Sequence, residues 1–263
     1  MRVAAIPKYL RPRVNSMLLL VQIASGLPII ALIICVSLCV NMNFGLSTHC
    51  TSANFLPSLS AAVSVRQPQR STWLVAISIS SLLRLALIPP VLASYQVTFG
   101  RILGEKYFSA IYFLFMMNTI EITFLLIMSM IPSSINYKAH RNTLAVFVLM
   151  SVLFMGLDSA FFHRLADRTG NLYLVRQACI KRKLLTAYLS TLAIVGTVYY
   201  IHTLYCPPYA YTLFSFFEYI AICLNVCYHF VMLGVIHRKP ISAILDRPIR
   251  GEFFAFCDNI LPL

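Results

Sequence analysis

Six apolar runs, at residues 17–42, 72–95, 108–131, 142–162, 184–202 and 211–236, alternate with short polar stretches along the chain. About 20 residues of helix cross a hydrocarbon layer ~30 Å thick, and every run is close to that length or longer. Inside lipid the backbone satisfies its own N–H and C=O groups only as a helix or a closed barrel. Long runs without alternation predict the helix. The pattern therefore predicts an all-α fold: a polytopic membrane helix bundle with six transmembrane helices, one integral membrane domain over residues 1–263. None of the connecting stretches is long enough to bury a core of its own. The first run is too long for a cleavable signal, and no small-residue cleavage site follows it, so it reads as an anchor.

Polar residues inside the runs carry the candidate chemistry. Glu218, Asn225 and His229 fall at i, i+7 and i+11, within roughly 20° of one direction on a helix. An acid, an amide and an imidazole on one stripe of a lipid-embedded helix each need a partner or a task. Glu218 is a candidate general acid or base near a membrane surface, with interhelical hydrogen bonding as the alternative. His229 is a second acid–base candidate, although it and Asn225 fit interhelical bonding better. Arg84 in the middle of the second run and Glu121 in the middle of the third can meet at one depth. With Asn118 one turn earlier they form either a headgroup-binding site or a structural ion pair. Asp158, near the far end of the fourth run, could partner His229 or a flanking arginine.

The longest connection on its side of the membrane, residues 43–71, is not an ordinary hydrophilic loop. Asn54-Phe55-Leu56-Pro57-Ser58-Leu59-Ser60-Ala61-Ala62 is apolar and rich in small residues. Pro57 followed by Ser58 predicts a short helix there, lying at the lipid interface or folded over the mouth of the bundle. His49, next to Cys50, is a candidate base beside this segment, but no acid stands close in sequence to orient it. Zinc-protease, nucleotide-phosphate and serine-hydrolase motifs do not occur, and the His and Cys spacing predicts no metal site.

Charge adds the orientation. Sixteen of the 21 Lys and Arg fall on one side of the predicted bundle. They lie in the N-terminal tail, after the second run, in a basic loop at 164–183 and in the C-terminal tail at 237–263. The opposite side has only Arg66, Arg70, Lys138 and Arg141. The positive-inside rule then puts both termini in the cytosol and 43–71 in a lumen. A net charge of +13 on a chain that is 59% hydrophobic and 11% charged is topology plus attraction to anionic lipid. It excludes a soluble enzyme and a nucleic-acid binder, since no basic stripe sits on a soluble face. Of eight cysteines, only Cys50 and Cys206 fall on the luminal side. In an oxidising compartment that pair could form a disulfide; two free thiols is the alternative.

Taken in order, Thr48-His49-Cys50, the 54–62 segment, Pro68-Gln69-Arg70 and Trp73 resemble the Frag/DRAM/Sfk membrane-protein family. Arg84, Asn118, Glu121, Tyr205-Cys206, Tyr211, Glu218-Tyr219, Asn225 and His229 extend the resemblance to the sixth run. The chain departs from it at Phe230–Gly234, which lacks a tryptophan-containing stretch, and at Val63-Ser64. Within that family the chain resembles members that remodel the lipid of GPI anchors. It implies a multi-pass protein of the Golgi or endoplasmic reticulum membrane, with GPI-anchored lipids and proteins as partners. It further implies that the chain performs or enables reacylation of lyso-GPI with a saturated fatty acid. No resident cofactor is implied; the acyl donor would be an acyl-CoA or a phospholipid. A non-enzymatic scaffold for lipid enzymes, working through 164–183, and a lipid scramblase are the alternative readings.

Overall fold

The structure is a computed structural model that describes residues 14–64 and 66–234. Helices stand where the apolar runs predict them: α1 (Val14–Asn41), α3 (Gln69–Leu103), α4 (Phe108–Met130), α5 (Tyr137–Thr169), α6 (Leu172–Tyr205) and α7 (Ala210–Leu233). All six are long and apolar enough to span a membrane. A one-turn helix, α2 (Leu59–Ala62), lies between α1 and α3. No strand occurs among the described residues.

Several helices outrun their apolar cores. α3 has 35 residues, α5 has 33 and α6 has 34, roughly 50 Å each at 1.5 Å per residue. Their ends therefore project beyond the hydrocarbon, and capping chemistry sets where they stop. Asn136 Oδ1 accepts the Ala139 N–H at the start of α5, and Asn171 Oδ1 accepts those of Tyr173 and Leu174 at the start of α6. Between α5 and α6 stands Gly170 at φ +60°, a left-handed stop that glycine adopts without strain. This corrects the reading of 164–183 as a basic loop: it is two helix ends joined by a two-residue turn. Its charges lie on helical faces, and one of them, Lys181, is wholly buried. The 237–263 tail and the N-terminal tail before residue 14 lie outside the described residues.

Each spanning helix packs on its neighbour in sequence, and α7 packs back on α1, so the order α1, α3, α4, α5, α6, α7 closes a ring. Short connections force this antiparallel neighbour packing. At Gly100 the start of α4 comes in close: a Cβ there would stand 2.5 Å from the Phe108 ring. The interior holds two apolar clusters. One, around Cys35, Trp73, Ile77 and Leu125, lies toward α2. The other, around Tyr95, Phe99, Phe154, Phe162 and Tyr228, lies toward the α5–α6 turn. Leu19, Ile33, Val75, Leu82 and Leu149 are exposed on the outside, which is where a bilayer supplies the apolar solvent.

Candidate functional site

At the α2 end, residues 50–64 are strapped across α7. Cys50 is joined to Cys206 at 2.00 Å, across 156 residues of sequence. From there the segment runs alongside α7 through a series of hydrogen bonds. Tyr209 N–H donates to Ala53 O (3.0 Å), and Phe55 N–H donates to Thr212 Oγ1 (3.0 Å). The Tyr219 hydroxyl donates to Pro57 O. Ser58 N–H donates to the Tyr211 hydroxyl at 3.1 Å, which in turn donates to Ser58 Oγ at 2.9 Å. Leu59 N–H donates to Glu218 Oε2 at 3.0 Å.

Ser58 opens α2 by accepting the Ala61 N–H, as the Pro57-Ser58 pair predicted. Hydroxyls of Ser58, Ser60 and Tyr211 and the half-buried Glu218 carboxylate thus gather at one end of the bundle. At the same end of the bundle an apolar groove of about 620 Å³ opens between Phe55 and Leu56 of the strap, Val198 and Ile201 of α6, and Leu213 and Phe216 of α7; on α7 its lining and Glu218 lie on opposite faces.

His49 is exposed, with Nε2 3.4 Å from Thr203 O and its ring edge-on to His202, 5.2 Å between centroids. His202 is buried there; the sequence reading placed it at a helix end and gave it no role. His49, Cys50 and Cys206 bring ligand atoms within 4.8 Å of one another. The two sulfurs are bonded to each other, so no thiolate remains to bind a metal.

The second polar locus lies in the middle of the ring. Glu121 Oε1 accepts from His229 Nε2 at 2.7 Å and from Asn225 Nδ2 at 3.1 Å. Arg84 approaches the same oxygen at 3.5 Å. Asn225 also donates to Ser151 Oγ at 2.7 Å, and the His229 ring lies parallel on Phe154. Arg84, Asn118, Glu121, Asn225 and His229 are all buried. Three helices, α3, α4 and α7, therefore meet at one carboxylate, with α5 joined through Ser151 and Phe154; the carboxylate compensates a guanidinium that hydrocarbon could not host alone. The Glu218–Asn225–His229 stripe is divided: Asn225 and His229 turn to Glu121, whereas Glu218 belongs to the strap.

A third cluster lies toward the α5–α6 turn, and sequence reasoning missed it. Asp158 was expected to meet His229 or a flanking arginine; it instead takes Lys181 Nζ at 2.6 Å. Tyr95 donates to its Oδ1 at 2.8 Å, and the Tyr228 hydroxyl lies 3.0 Å from its Oδ2. Lys181 Nζ also sits over the Phe162 ring, 3.5 Å from its centroid. Asp158 and Lys181 are fully buried and mutually satisfied, which ties α3, α5, α6 and α7 together.

Fold and interior together define a class: a six-span helical membrane protein with a charged centre and a disulfide-tied strap on its last helix. The chain belongs to the Frag1/DRAM/Sfk1/Cwh43P N-terminal domain family, whose sequence profile matches residues 16–234. It is 31% identical over 206 residues to "Acyltransferase PGAP2" of Xenopus tropicalis, covering 78% of this chain and 81% of that protein. It is 32% identical over 246 residues to "Post-GPI attachment to proteins factor 2" of Caenorhabditis elegans, covering 90% and 89%. The protein of the same name from Drosophila melanogaster is 30% identical over 213 residues, covering 80% and 82%. No solved structure matches the chain.

Proposed function

We infer that the chain remodels the lipid of GPI anchors in a Golgi or endoplasmic reticulum membrane, at the step that returns an acyl chain to a lyso-GPI. The family membership and the name "acyltransferase" on a relative support acyl transfer. The observation that carries the site is the junction of Glu218, Ser58 and Tyr211 where the strap crosses α7; an apolar groove opens at the same end of the bundle. Lipid remodelling needs both halves: an apolar slot for a chain, and an acid–base group where the ester forms.

In this reading the strap end faces the lumen. The free hydroxyl of the lyso-lipid attacks the carbonyl of the acyl donor, an acyl-CoA or a phospholipid. Glu218 takes the hydroxyl proton as the new C–O bond forms. The thioester or ester bond to the donor breaks, and Glu218 returns the proton to the leaving thiolate or alkoxide. The Ser58 and Tyr211 hydroxyls are the groups placed to hydrogen-bond the oxyanion. Arg84, Asn118, Glu121, Asn225 and His229 hold the ring open and in register from within. His49 stands on the other side of the disulfide and carries no step.

Mass spectrometry of GPI anchors tests this in cells lacking the protein, rescued with wild type or Glu218→Gln. Loss of the protein should accumulate lyso-GPI. Wild type should restore the acylated anchor, and Glu218→Gln should fail at equal abundance, with a loss of at least ~100-fold for a missing general base. Unchanged anchors in the null cells would overturn the reading. Full rescue by the variant would remove Glu218 from it.

A further inference from the structure

A second, smaller opening lies at the opposite end of the bundle, between α5 and α6, with a volume of about 270 Å³. On α5, Gly156, Ser159, Ala160 and His163 line it at i, i+3, i+4 and i+7, one face of the helix. Arg182 closes its upper rim from α6. The floor is Ser159, which is buried, and Ala160 on the rim is exposed, so the slot opens sideways, outward from the ring. At Gly156 the slot is open in a strict sense, since a Cβ there would meet nothing within 4 Å.

The slot is graded along the membrane normal. Gly156 and Ala160 lie inside the fourth apolar run, which ends at residue 162; His163 and Arg182 lie just outside the apolar runs of their helices. Its deep part is therefore at hydrocarbon depth and its cationic part at headgroup depth. His163 Nε2 lies 3.7 Å from Asp167 Oδ2. Arg182 has no ion-pair partner among the described residues. Arg164, Arg168 and Arg176 are exposed at the same end.

We propose that this α5–α6 slot is a binding site for an anionic phospholipid, its phosphate on Arg182 and one acyl chain lying over Gly156 and Ala160. The occupant follows from the complementarity. A soluble anion would leave the deep part empty, a lipid without phosphate would leave Arg182 unpaired, and a zwitterionic one would bring its own cation into a basic end. Basic openings between membrane helices at this depth take anionic headgroups, and the positive-inside rule puts this end in the leaflet that carries them. The site is remote from the strap and stands whether or not the acyl-transfer reading holds.

The test uses the full chain in bilayer discs of phosphatidylcholine doped with phosphatidylinositol, with retained lipid read by native mass spectrometry. Wild type should keep phosphatidylinositol in preference to phosphatidylcholine. Arg182→Gln should cut that retention about fivefold, the effect of one cation near the surface. Gly156→Leu should cut it at least as far, by filling the slot where there is room for the side chain. Arg164→Gln, an exposed cation outside the slot, should leave it unchanged. Retention that is equal in wild type and Arg182→Gln, or that falls as far in Arg164→Gln, overturns the proposal. The first result means no site at Arg182; the second means diffuse attraction to the basic end. If Gly156→Leu does not fold, the two arginine variants decide alone.

Discussion

At the level of single residues, the sequence announces some of the buried polar groups and conceals others, Lys181 above all. Arg84, Glu121, Asn225 and His229 stand alone in apolar surroundings, so their burial is legible from pattern, and Glu121 gathers them. Lys181 is different, because Arg176, Arg182 and Lys183 surround it in sequence and the block reads as solvated. A helical signal was present all the same. Leu174, Ala178, Lys181, Leu185 and Tyr188 are spaced four, three, four and three apart, the spacing of one buried helix face. Counting charges concealed it; placing them on a helix exposes it.

The consequence is measurable. Removing one member of a buried pair leaves the other charge uncompensated, which costs about 3–5 kcal/mol, whereas an apolar pair of similar volume is often neutral. Lys181→Met and Asp158→Leu should each lower thermal stability in detergent sharply, and the double variant should recover most of the loss. Strictly additive losses in that cycle would show that the pair is not a coupled unit.

Between residues and the whole stands the strap, and here local sequence predicted more than the helical wheel did. Pro57-Ser58 marked the start of α2, and Ser58 does cap it. The wheel put Glu218 with Asn225 and His229, because it knows direction and not depth. Depth decides the partners: the strap reaches Glu218 near the start of α7, and α4 reaches the lower two. Nothing in the sequence states that Tyr211 and Tyr219 would both bond the backbone or side chain of the strap, because such pairings depend on how the segment lies across α7.

The Cys50–Cys206 bond ties the near end of the strap to the α6–α7 connection, three residues from the Ala53–Tyr209 hydrogen bond. Closing so long a loop by a disulfide typically contributes about 2–5 kcal/mol. Cys50→Ala, Cys206→Ala and the double variant should therefore lose similar stability, because one bond is lost in each case. Hydrogen exchange should quicken at residues 53–59 while α3 and α4 keep their protection. Unaltered exchange in the strap would show that its hydrogen bonds to α7 hold it without the disulfide.

For the whole molecule, six spans were readable because lipid leaves so few options for a backbone. Neighbour order followed from short connections, but the closure of the ring through α1 and α7 did not, because contacts between the first and last helices leave no local mark in sequence. Orientation rests on charge, and α5 is the element that tests it. Lys138 in its first turn and Arg168 in its last are both exposed. They stand roughly 45 Å apart along one helix at 1.5 Å per residue, more than the ~30 Å a crossing needs. The positive-inside rule puts Arg168 in the cytosol. In sealed vesicles that expose their cytosolic face, an impermeant maleimide should label Arg168→Cys at once. Lys138→Cys should react only after the membrane is opened, with the parent protein giving the background from native cysteines. The reverse order would place the strap in the cytosol, away from any luminal lipid, and would take the acyl-transfer site with it. Labelling of both from one side would deny that α5 crosses the membrane at all.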